Sequence, residues 1–97
     1  MAKPEDEDLL RAAVAAEVRA AAAREDLSQD QVAEATGLHR VTINRLFQGQ
    51  RSIKVEQLFA LGEVLNFKPG KLLDDARDRF LQQRARPHLE SQGGNDH

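Results

Sequence analysis

The chain has no cysteine, which excludes disulfide staples and thiolate metal sites and suits a reducing cytosol. No apolar run approaches the length of a membrane span, which needs about 20 consecutive apolar residues. The stretch Lys3-Pro4-Glu5-Asp6-Glu7-Asp8 is acidic, whereas a signal peptide opens on positive charge and continues into an apolar centre. Strand-type alternation, internal repeats and extended low-complexity segments are missing as well, which leaves an all-α chain. Catalytic chemistry is equally scarce: there is no cysteine nucleophile, no Ser-His-acid set and no phosphate-cradling glycine loop, so no enzyme and no cofactor are expected. Asp74, Asp75 and Asp78 alternate with Arg77 and Arg79, the pattern of a solvated charged helix face rather than of acid–base chemistry. His39, His88 and His97 share no ligand spacing, so no metal site is expected. These exclusions point to a cytoplasmic protein with no membrane association.

What is present is helix-forming sequence and an uneven charge distribution. Ninety-seven residues with a net charge of -2 suffice for one domain. That acidity argues against a nucleic-acid partner until its position is considered. The stretch from Met1 to Leu27 carries -3 and that from Val55 to His97 carries -1, whereas Ser28 to Lys54 carries +2. From His39 to Lys54 the chain holds Arg40, Arg45, Arg51 and Lys54 and no acid at all.

Five helices can be placed by periodicity. A polar arm over residues 1–8 leads into an alanine-rich helix from Leu9 to Arg24, with Leu10, Val14, Val18 and Ala21 or Ala22 as an apolar stripe of mostly small side chains. Leu58, Leu61, Val64 and Leu65 mark a fourth helix over 55–65, with Gly62 inside it. Asn66-Phe67-Lys68 breaks it, and Pro69 opens a fifth helix carrying Leu72, Leu73, Ala76, Phe80 and Leu81. Arg86-Pro87 is expected to end regular structure, leaving a flexible tail over 87–97 and a domain over 9–86.

Between the first and fourth helices lies the stretch on which the function turns, Ser28 to Gly49. Ser28 and Gln31 have capping-box spacing, and Gly37 suits a left-handed stop. A second short helix from about Arg40 places Ile43, Leu46 and Phe47 inward. It leaves His39, Arg40, Val41, Asn44, Arg45 and Gln48 on the other face. Two short helices with a tight turn are the helix-turn-helix arrangement, whose second helix enters the DNA major groove.

At Gln29, Val32-Ala33, Gly37, Ile43, Arg45-Leu46 and Gly49 the chain resembles the Cro and CI repressor family, also called the XRE family, over roughly Val14 to Ala76. The run Leu46-Phe47-Gln48-Gly49 is especially similar to lambda-type repressors. The resemblance implies an all-α, five-helix lambda-repressor-like domain, here with an extended C-terminal helix. It implies base reading by Arg40, Val41 and Arg45, with Asn44 and His39 beside them. It implies phosphate binding by Gln29, Thr42, Gln48, Arg51 and Lys54. An arginine at such a site can bond guanine bidentately, and a valine can meet a thymine methyl. His39 stands where the family commonly has a serine or threonine, and imidazole is a poorer helix cap. The function expected is a sequence-specific transcriptional regulator, a repressor that binds an inverted-repeat operator in double-stranded DNA as a homodimer. The alternative is an antitoxin or phage regulator acting mainly through a protein partner such as a toxin, suggested by the acidic N-terminus and the additional terminal residues.

Overall fold

The computed structural model describes residues 4–95, with side chains over 5–85. Five helices follow one another: α1 (Pro4–Arg24), α2 (Gln29–Thr36), α3 (Arg40–Phe47), α4 (Val55–Leu65) and α5 (Pro69–Asn95). The arrangement is all-α among the described residues.

The first helix starts earlier than expected. It begins at Pro4 rather than Leu9, so most of the stretch read as a polar arm is helical. Proline at the first helical position lacks only an N–H that has no intrahelical partner there. Glu5, Asp6 and Glu7 occupy the first turn, where the positive end of the helix dipole favours carboxylates. Asp6 is buried, with Arg84 of α5 3.6 Å away.

The alanine richness of α1 has a packing reason. Ala13, Ala15, Val18, Ala21 and Ala22 are buried, and α1 runs along α5 in the most extensive helix pairing of the described fold. Small side chains let both α5 and the loop after α3 approach the helix closely. Leu10, expected inside, is 43% exposed. Leu72 and Ala76 of α5 are buried, and Arg79 reaches across to Glu17 of α1 at 2.9 Å. The length of α5 therefore serves to cover α1. On its outer face Lys71 donates to Asp75 one turn on, and this bond with its charge holds the Lys71 ammonium above its usual pKa.

The core is completed by Val32 and Ala33 of α2, Ile43, Leu46 and Phe47 of α3, and Leu58, Leu61 and Leu65 of α4. Gly62 of α4 is close-packed against the turn that follows the helix. A Cβ at Gly62 would lie 2.8 Å from the carbonyl oxygen of Phe67, where the chain folds back after the left-handed Asn66. At the far end α5 passes Arg86-Pro87 instead of stopping there, because a proline biases the preceding residue against helix without forbidding it. The stretch expected as a tail over 87–97 continues α5 as far as Asn95, and residues 96–97 lie outside the described residues.

Candidate nucleic-acid interface

The start of α2 is built as its sequence suggests. The Ser28 hydroxyl accepts from the Gln31 N–H at 3.1 Å, while the Gln31 amide oxygen accepts from the Ser28 N–H at 2.8 Å. The helix ends at Gly37, whose N–H donates to the Ala33 carbonyl at 2.9 Å. Thr36 folds back onto the Val32 carbonyl, and its hydroxyl accepts from the Leu38 N–H. These bonds set the tight turn that delivers the chain to α3.

α3 begins at Arg40 with His39 in the cap position, but the His39 side chain makes no capping bond. Burial of Ile43, Leu46 and Phe47 fixes the rotation of the helix. Arg40, Val41, Arg45 and Gln48 are then exposed, while Thr42 and Asn44 are half-buried at the edge of that face. Val41 is 58% exposed, a high value for an apolar side chain on an eight-residue helix that buries three others. Gln29, at the start of α2, accepts from the Asn44 side-chain amide at 3.1 Å. This bond joins one residue read as phosphate-binding to one read as base-reading. It leaves the Gln29 amide nitrogen available as a donor.

The remaining residues lie around the C-terminal end of α3. Gln48 is exposed, and its amide oxygen accepts from the Gln50 side chain at 2.7 Å. Lys54 is exposed at the start of α4, where its N–H donates to the Gln57 amide oxygen at 3.0 Å. Arg51 is half-buried and lines a cleft of about 280 Å³ with Leu10, Ile53 and Leu73. Of the residues proposed from sequence, Arg51 is thus the one turned in part toward α1 and α5.

Three residues of this region escaped the sequence reading. Arg19 donates to the Phe47 carbonyl, and Arg11 donates to the Gly49 carbonyl at 3.2 Å. Two cations from α1 thereby serve carbonyls at the end of α3, where the helix dipole is negative. Gly49 itself has φ +70°, and a Cβ there would lie 3.3 Å from the Ala12 Cα, so a side chain would be strained by conformation and crowded by α1. The third residue is Asp30, whose Oδ1 lies 2.6 Å from Arg40 Nε. No local spacing announces these contacts, because the partners lie 38, 28 and 10 positions apart and meet only once the helices cross.

The comparisons agree with this architecture. The helix-turn-helix family model matches residues 18–72, more than half of the chain. A crystal structure of the clp gene regulator ClgR from Corynebacterium glutamicum superposes with a TM-score of 0.82 at 23% identity, covering 91% of this chain and 94% of that one. A second crystal structure of ClgR from the same organism gives 0.66 at 23% identity, over 71% and 90%. At this identity the likeness concerns the fold. No curated protein matches the chain. Among the described residues no helix is long and apolar enough to cross a membrane. The matched stretch contains α2, the turn and α3 together with the α4 core, and the chain belongs to the helix-turn-helix family.

Proposed function

We propose that this protein is a sequence-specific DNA-binding transcriptional regulator that represses by occupying an inverted-repeat operator as a homodimer. The observation that carries the reading is the outer face of α3. Arg40, Val41 and Arg45 stand exposed there on a short helix whose inner face is locked into the core. In this reading Arg40 and Arg45 address guanine edges, Val41 meets a thymine methyl, and Asn44 and His39 border the groove. Gln29, Thr42, Gln48, Arg51 and Lys54 hold the flanking phosphates and set the register. One recognition helix spans about four or five base pairs, so two copies are needed for a useful specificity ratio. Leu81 on α5, 42% exposed, belongs to the surface on which the second copy is proposed to dock.

Selection of bound fragments from the source genome, followed by gel shift on the recovered sequence, tests the proposal. A palindromic site bound by two protomers is the expected result. Arg40→Ala should weaken that complex by roughly 1–3 kcal/mol and relax the preference at one base pair in each half-site. Equal weakening on specific and random DNA would remove Arg40 from base reading. Failure to select any sequence would remove the regulator model itself.

A further inference from the structure

Resting on that reading of α3, we propose that Asp30 is a specificity-determining residue that acts through Arg40. Arg40 opens α3, so its positive charge sits at the end of the helix where the dipole is also positive and is locally disfavoured. Asp30 is in the first turn of α2, where a carboxylate is favoured, and the angle between the two helices brings its Oδ1 to 2.6 Å from Arg40 Nε. Both side chains remain open to solvent, 70% exposed for Asp30 and 63% for Arg40. The pair is therefore accessible on the surface that DNA would approach.

Two consequences follow from this pairing. The nearest approach of the carboxylate is to Nε, as an ion pair rather than an aligned hydrogen bond, so it draws the guanidinium without occupying it as a fixed bidentate partner would. A guanidinium drawn toward a neighbouring carboxylate samples fewer orientations, and guanine O6 and N7 are the paired acceptors that match its two parallel N–H donors. The second consequence is repulsive. Asp30 places a negative charge beside the leading cation of the recognition helix, so a phosphate arriving in an arbitrary register meets a neutralised and partly repulsive pair. Specificity is a difference of affinities, and an element that penalises the wrong partner raises it as effectively as one that rewards the right one. The acid-free basic stretch from His39 to Lys54 is thus moderated in space by an acid that lies outside it in sequence.

The test compares the affinity of the full chain for its selected operator with that for a random duplex of equal length, at fixed salt. It uses wild type, Asp30→Asn, Asp30→Glu, Arg40→Ala and the double variant Asp30→Asn/Arg40→Ala. Asp30→Asn should tighten random-duplex binding and lower the operator-to-random ratio by about fivefold or more, within the range of one good base contact. Asp30→Glu, which keeps the charge, should restore most of the ratio. In the Arg40→Ala background the Asp30→Asn change should leave the ratio where Arg40→Ala alone put it, because Asp30 acts through Arg40. A ratio held within about twofold in Asp30→Asn, or an equal drop with and without Arg40, overturns the inference. Both of those outcomes leave wild-type operator recognition intact. Absence of any sequence preference in the wild type instead overturns the DNA-reading proposal, and this inference with it.

Discussion

The two ends of α3 are held by opposite means. At the C-terminal end the helix is tied down by the rest of the protein. Leu46 and Phe47 are buried, Arg19 and Arg11 of α1 donate to the carbonyls of Phe47 and Gly49, and Gly49 presses against Ala12. Toward the N-terminal end the ties are polar: a part-buried bond between Gln29 and Asn44, and a solvent-exposed ion pair between Asp30 and Arg40. The buried end loses free energy when any partner is removed, because apolar contacts and bonded carbonyls have no equivalent replacement in water. Exposed polar pairs contribute little to stability because water competes for them. A helix anchored at one end and loosely paired at the other can present its leading residues to a ligand without unfolding. We therefore expect stability to reside at the C-terminal end and ligand selection at the N-terminal end.

The comparison can be broken by substitution at either end. Leu46→Ala should have the largest effect, lowering the unfolding free energy by about 2–5 kcal/mol in denaturant titration, since Leu46 is fully buried and its loss leaves a cavity. Gly49→Ala should lower it by about 1–2 kcal/mol, because alanine is strained at positive φ and its Cβ crowds Ala12. A melting temperature unchanged in Gly49→Ala would show that the loop can leave α1 freely. Arg19→Met keeps the apolar stem and deletes the donor to Phe47; a loss of about 1 kcal/mol is expected, with base preference unaltered. Gln29→Ala should have the smallest effect on stability, about 0.5 kcal/mol, the low end for loss of one part-buried hydrogen bond, yet it should weaken operator binding in a gel shift. A drop in melting temperature as large as that of Arg19→Met would erase the distinction between the two ends.

Much of this was legible before any coordinates. The Ser28–Gln31 capping box, the stop at Gly37, the inward Ile43, Leu46 and Phe47, and the α4 stripe of Leu58, Leu61 and Leu65 depend on contacts within a few residues or on helical period. The start of α1 was less legible, because an acidic run reads equally well as a solvated arm or as a helix first turn. Continuation of α5 past Pro87 was missed because the proline rule is a bias. Leu10 was misplaced for a related reason: periodicity finds a stripe, but the width of the stripe that is covered depends on the neighbouring helices.

Sequence alone determined the helix-turn-helix scaffold and which face of α3 is outward, because burial of a three- and four-residue apolar repeat admits one rotation of a short helix. It also set the local basic charge between His39 and Lys54. Only the tertiary structure decided what stands beside that charge. Whether Asp30 meets Arg40, whether Gln29 meets Asn44, and whether α1 arginines reach the end of α3 depend on the crossing of helices distant in the chain. Helical period has no information about an interhelical angle, which is settled by how the side chains of the joined helices interlock.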